Sequence, residues 1–304
     1  MGESHTGWRG GFVALATPFT KDGAIDIDGF AANIPRVESV GVRGVLVSGC
    51  TGEFWALTDD ERAQLFQVAR SAVSGDTVVL AGVGAITTDQ TVRLAKAAES
   101  AGVHGVFVLP PFFVKPTRRD LVEHYRRVAA ETSLPVLLYN IPGNAVNALT
   151  PDLVDELADI DGVVGIKESS CDFNNFYKTL VVASDRIDVF VGPSTLFGVA
   201  AIVLGSPGFM DTTPQYFGRE AVALYEMAAS GDIAQARELQ QRALQVKELM
   251  NANGRNQYAS IKAAMNYLGW DGGYPRPPLR PLSDSERREL EAGLEALSIA
   301  RAPS

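Results

Sequence analysis

Lys167 ends the apolar run Val163-Val164-Gly165-Ile166 and is followed by Glu168-Ser169-Ser170. Such a run fits a buried strand, and a lysine at its end has its ammonium half withdrawn from water, which lowers its pKa and frees the amine as a nucleophile. An amine attacking a ketone needs a proton donor and acceptor beside it, and Tyr139, near the end of the run Pro135–Asn140, offers a phenol. An anion site is the third requirement. In Gly49-Cys50-Thr51-Gly52-Glu53, two glycines flank a Cys-Thr pair whose N–H groups can point at a carboxylate, with the Thr51 hydroxyl as a further donor. A ketone for the lysine and a carboxylate for the loop together describe a 2-oxo acid. This chemistry calls for no metal and no cofactor beyond the covalent bond to Lys167.

Those residues act together only if the fold brings them to one face. Eight β-rich runs recur along the chain: Phe12–Thr17, Gly44–Ser48, Val78–Val83, Gly105–Leu109, Pro135–Asn140, Val163–Lys167, Val189–Gly192 and Gly208–Asp211. Amphipathic stretches separate them, with helix starts at the capping box Thr58–Glu61 and at Thr150-Pro151 and Thr213-Pro214. This alternation predicts a parallel sheet, and its spacing predicts a (β/α)₈ barrel, in which strand C-termini share the functional face. Lys167, Tyr139, the Gly49–Glu53 loop and Gly192, which closes the seventh strand, then converge. Ser194, Thr195 and Asp211 to Thr213 share that face and could contact a substrate's distal hydroxyls. A doubly wound sheet with a helical second domain is the alternative, but no glycine-rich dinucleotide fingerprint follows the first strand.

Beyond Pro214 only helical patterns follow, among them Ile233–Asn251, Tyr258–Leu268 and Asp284–Leu297, the last set off by the proline-rich Arg276–Leu282. The expected division is a flexible leader over 1–10, the barrel over 11–230 and a helical extension over 231–304. With 304 residues and 46% hydrophobic content the chain can bury a large core. A net charge of -9 with no basic block argues against nucleic acid, and no apolar run is long enough to span a bilayer. The N-terminus lacks a signal-peptide pattern, Cys50 and Cys171 make no disulfide framework, and the three histidines lack metal-site spacing. A reducing cytoplasmic setting is expected.

Four segments, Gly49–Glu53, Leu138–Pro142, Gly165–Ser169 and Arg276–Leu279, resemble in order and spacing the dihydrodipicolinate synthase / N-acetylneuraminate lyase family, over about Gly11 to Leu297. The resemblance implies a barrel with a helical extension, a homotetramer, and class I lyase chemistry in which Lys167 forms a Schiff base. It further implies that Tyr139 shuttles protons and that Thr51 with neighbouring amides holds the carboxylate of pyruvate or another 2-oxo acid. Three positions depart from the synthases. Cys50 replaces the first of two threonines, and a thiol donates hydrogen bonds poorly. Phe112-Phe113 stand where a tyrosine is supplied across a subunit interface. Asn144 stands where an arginine binds the aldehyde's carboxylate, and offers no bidentate charged fork. Cys50, Gly49, Thr51, Gly192, Asn144 and Phe113 are the expected substrate-binding residues. The departures predict a lyase that is not a true dihydrodipicolinate synthase: an aldolase, or alternatively a dehydratase or deaminase of a 2-keto-3-deoxy acid, or a non-catalytic 2-oxo-acid binder.

Overall fold

A computed structural model of the chain describes residues 4–299. Eight parallel strands close into a barrel in sequence order: β1 Gly10–Ala14, β2 Gly44–Val47, β3 Val78–Gly82, β4 Gly105–Val108, β5 Val136–Asn140, β6 Val163–Glu168, β7 Asp188–Val191 and β8 Gly208–Asp211. Around it run α1 Ile27–Ser39, α2 Asp59–Ala72, α3 Thr88–Ser100, α4 Arg118–Ala130, the single turn α5 Pro142–Ala145, α6 Pro151–Leu157, α7 Phe173–Ala183, α8 Ser194–Val203 and α9 Arg219–Ser230. Gly231, in the left-handed region at φ 90°, ends α9. Three further helices follow, α10 Ile233–Asn251, α11 Gln257–Tyr267 and α12 Asp284–Ala296.

Alternation along each strand builds two cores. Phe12, Leu46, Leu80, Phe107, Leu137, Phe190 and Met210 fill the barrel interior, while their neighbours Val13, Val45, Val79, Val106, Leu138, Ile166 and Val189 pack beneath the helices. Strands buried on both faces read as continuous apolar runs, which is why the sequence marks them so plainly. The barrel closes where Gly10 pairs with Gly208, and a Cβ at 208 would sit 1.9 Å from the Gly10 carbonyl oxygen, so only glycine fits. The first strand begins and ends earlier than expected, at Gly10–Ala14 rather than Phe12–Thr17: Leu15 N–H makes a last bond to the Leu46 carbonyl at 3.0 Å, and the chain then runs on to Phe19, which bridges to Ile25 and Tyr274.

The expected leader is partly tied down. Asp188 at the start of β7 accepts hydrogen bonds from Ser4 Oγ at 2.7 Å and from the N–H groups of His5 and Thr6 at 3.1 and 2.9 Å. Trp8 then packs on Phe12, with ring centroids 6.5 Å apart. Among the described residues no helix is long and apolar enough to cross a membrane, and no group of three metal-ligating side chains occurs.

One buried histidine carries a pH consequence. His124 on α4 meets Thr88 on α3, Nδ1 to Oγ1 2.9 Å, while its Nε2 is buried without a partner among the described residues. Burial pushes its pKa down to about 4. The unfolded chain therefore takes up a proton below about pH 6.5 that the folded chain refuses until about pH 4. Stability is fully present above pH 6.5 and falls through that window by on the order of 3 kcal/mol at its foot. Urea melts of His124→Gln at pH 7 and pH 4.5 should show a smaller acid loss than the parent; an unchanged loss would place its source elsewhere.

Candidate active site

β5 and β6 are paired so that Tyr139 lies opposite Lys167. Both side chains point into the top of the barrel, where the Lys167 Nζ stands 4.4 Å from the Tyr139 ring centroid and 5.9 Å from that of Phe107. The aromatic walls and the strands below remove water, and Lys167 is only 5% exposed. Burial lowers its pKa to about 8, with Cys50 and Asp211 pulling the other way. The Tyr139 phenol is pushed well above its ordinary value by burial and then by the neighbouring Cys50. Burial likewise raises the Cys50 thiol, partly offset by its hydrogen bond with Tyr139 and by Lys167. Cys50 is thus a neutral thiol at pH 7, bonded to the phenol rather than poised as a thiolate.

The loop after β2 is set by two left-handed residues, Ser48 at φ 59° and Glu53 at φ 53°. Within it Glu53 N–H donates to the Cys50 carbonyl at 3.0 Å and Phe54 N–H to that of Gly49 at 3.3 Å. Among the described residues the N–H groups of Cys50 and Thr51 meet no acceptor, so both are free to hold an anion. Arg62 of α2 is inserted beneath, donating to Ser48 Oγ at 3.0 Å and to the carbonyls of Gly82 and Gly84. Glu53 ties this loop to the C-terminal part of the chain. It forms an ion pair with Lys262 of α11 and accepts from the Arg276 N–H at 3.1 Å. Both cations also lie over the Phe19 ring, at 4.3 and 4.2 Å. Helix α11 and the segment around Arg276 therefore clamp the loop from behind.

On the outward side of the same strand ends, Glu168 accepts from Asn140, from Asn175 at 2.8 Å and from the Ser170 N–H at 2.7 Å, while Asn140 Oδ1 accepts from the Leu149 N–H at 2.9 Å. This network fixes the loops following Tyr139 and Lys167. Gly192 closes β7 against them: its N–H donates to the Glu168 carbonyl at 2.7 Å, and a Cβ there would lie 1.9 Å from Ser169 Oγ.

A cleft of about 430 Å³ opens above Lys167 and Tyr139, and Cys50, Thr51, Asn144 and Gly192 line it. Two expected residues do not. Gly49 lies against the Phe107 ring, 3.2 Å from where its Cβ would be, below the cleft floor. Phe113, 84% exposed at φ 72°, points away from the cleft on the loop after β4, and it is Phe112 that packs inward on Phe54 at 5.6 Å. The reading of Gly49 as a residue that meets substrate is therefore corrected, while Phe113, read at a position supplied across a subunit interface, does not line the cleft of its own chain. In the other direction, Lys247 of α10 and Gln257 and Tyr258 of α11 line the cleft without having been expected there. Tyr258 packs edge-on to Trp55 at 5.0 Å and accepts from Asn144 Nδ2 at 3.5 Å.

The match to known proteins covers this whole frame. The model of the Dihydrodipicolinate synthetase family matches residues 8–297. A 4-hydroxy-tetrahydrodipicolinate synthase of Bacillus subtilis is 33% identical over 287 residues, 94% of this chain and 98% of its own length. A DapA-like lyase of Halobacterium salinarum is 35% identical over 294 residues, 96% of this chain and 95% of its own. The crystal structure of YagE, a prophage protein of the dihydrodipicolinic acid synthase family from E. coli K12 in complex with pyruvate, superposes with a TM-score of 0.91 at 28% identity, covering 96% of this chain and 99% of that one. With a closed eight-stranded barrel and a family match across nearly its full length, the chain belongs to the dihydrodipicolinate synthetase family and is a class I lyase.

Proposed function

We propose that the protein is an aldolase-type lyase that forms a Schiff base between Lys167 and a 2-oxo acid, with Tyr139 as its proton carrier. The observation that carries the reading is a buried amine with a pKa near 8, 4.4 Å from the centroid of a phenol ring, in a cleft also lined by a loop with two unmet amide donors. The carboxylate would be held by the N–H groups of Cys50 and Thr51 and the Thr51 hydroxyl. The Lys167 nitrogen lone pair adds to the ketone carbon and one of the two amine protons moves to the oxygen, giving a carbinolamine; Tyr139 then gives its proton to that hydroxyl, which leaves as water. The phenolate so formed lies beside the new iminium cation, which offsets its charge. It then takes the proton of the C4 hydroxyl as the C3–C4 bond breaks, its electron pair moving into the iminium to leave an enamine and an aldehyde. Protonation of the enamine and hydrolysis of the imine release the shorter 2-oxo acid and the free amine.

Asn144 in place of an arginine, and phenylalanines at 112 and 113, support an electrophile other than the aldehyde of the synthase reaction. The exposed Phe113, Val114 and Val146 at the barrel top fit burial in a subunit contact of the homotetramer that the family resemblance implies. Product analysis with a 2-keto-3-deoxy sugar acid tests the reading: pyruvate and an aldehyde should appear in equal amounts. Loss of water or ammonia without pyruvate would make the enzyme a dehydratase or deaminase instead. Brisk condensation of pyruvate with aspartate semialdehyde would contradict the argument from Asn144.

A further inference from the structure

At the end of β8, beside Met210 of the barrel interior, stands Asp211, the one carboxylate among the described residues that line the cleft. Its two oxygens are held by neutral donors from the loops on either side. Oδ2 accepts from Ser194 Oγ at the start of α8, and Oδ1 accepts from the Thr213 N–H at 2.9 Å and from the Thr213 hydroxyl. Burial raises its pKa, while the three donors and the nearby Lys167 pull the other way; the donors orient the carboxylate yet leave acceptor capacity unused, since two carboxylate oxygens offer about four lone-pair sites. Glu168, the other carboxylate at a strand end of this face, differs. It is fully buried, its bonds hold loops together, and it does not line the cleft. Asp211 is only part-buried, and it acts electrostatically on Lys167. Around it Thr195, Thr212 and Tyr216 add hydroxyl groups to the same wall.

We propose that Asp211 reads the far half of the substrate, accepting a hydrogen bond from a hydroxyl carried beyond C3 and turning away a substrate with a second carboxylate there. The inference rests on the Schiff-base reading of Lys167, which fixes the near end of the substrate and so sends its tail toward the remaining cleft wall. A carboxylate in a water-poor cleft penalises a second negative charge that cannot be screened, and rewards a neutral donor with a charge-assisted bond. Lys247 is the cation that could reverse this preference, but it is half-exposed on α10, where water and salt weaken its field. The enzyme is then selective for neutral polyhydroxy tails.

Borohydride trapping with three probes tests this. Pyruvate has no tail, 2-keto-3-deoxygluconate has a neutral hydroxylated tail, and 2-oxoadipate has a carboxylate tail. In the parent enzyme, half-maximal trapping should need at least about tenfold less 2-keto-3-deoxygluconate than 2-oxoadipate. Asp211→Asn should still trap pyruvate, faster if anything because the charge that favours the protonated Lys167 is gone, and should shrink or invert the ratio between the two tailed probes, in which that shared effect on the amine cancels. A parent enzyme that prefers 2-oxoadipate overturns the proposal without any variant, and assigns selection to Lys247. An unaltered ratio in Asp211→Asn, with pyruvate still trapped, also overturns it while leaving the role of Lys167 intact. Failure of the parent to trap pyruvate would instead remove the Schiff-base reading beneath it.

Discussion

Lys167→Met should abolish turnover, by on the order of 10⁴-fold or more, and with it every adduct that borohydride can trap. Methionine nearly fills the volume of the lysine stem while removing the nucleophile. The position is buried, so the neutral side chain should not cost stability, and the variant should fold at least as well as the parent. The same amine sets a pH dependence. With its pKa lowered to about 8 by burial, Lys167 is protonated and unreactive below that value. The rate of adduct formation with pyruvate should rise about tenfold from pH 6 to pH 7 and level off above about pH 8. Trapping rates at pH 6, 7, 8 and 9 measure this, and a rate still rising about tenfold from pH 8 to pH 9 would deny the amine its lowered pKa.

Tyr139→Phe carries the second large effect. The phenol lies across the β5–β6 pair from the amine, and the reaction proposed above would use it twice, once to expel water from the carbinolamine and once to take the C4 hydroxyl proton. Its strongly raised pKa suits it to transient rather than resting ionisation. The variant keeps the ring that packs on Phe107, 5.8 Å between centroids, and loses only the hydroxyl. Turnover should fall by on the order of 10²-fold or more, while adduct with pyruvate still forms more slowly. Losing the adduct altogether would mean that Tyr139 positions Lys167 rather than moving protons. Unchanged turnover would give the proton transfer to another group, of which the phenols of Tyr216 and Tyr258 are those nearest in kind on the cleft wall.

The parts of this site that could be read from sequence are those written locally. Strands buried on both faces leave runs such as Gly44–Val47 and Val136–Asn140, and a lysine ending one of them is conspicuous because a charge is costly there. Barrel topology then brings Lys167, Tyr139 and the Cys50-Thr51 loop together without any long-range guess. Residues whose meaning depends on distant partners stayed hidden. Glu53 meets the Arg276 N–H across 223 residues of chain, and its pairing with Lys262 depends on how α11 folds back, which no local pattern encodes. Arg62 reads as an ordinary polar position of an amphipathic helix, yet it is buried under the carboxylate loop, where desolvation lowers its pKa to about 10. Lys247 and Tyr258 reach the cleft from α10 and α11 by the same kind of return. Phe113 aligns with a tyrosine supplied across a subunit interface, and the backbone after β4 turns its side chain outward, away from the cleft of its own chain.

The most direct test is to incubate the protein with pyruvate and sodium borohydride at pH 8, digest it, and weigh the peptide that contains Lys167. The Schiff-base account predicts a mass increase equal to one reduced pyruvate on Lys167 and on no other lysine, absent when borohydride or pyruvate is withheld. Adduct on a different lysine, or no adduct with pyruvate or any other 2-oxo acid, would contradict it.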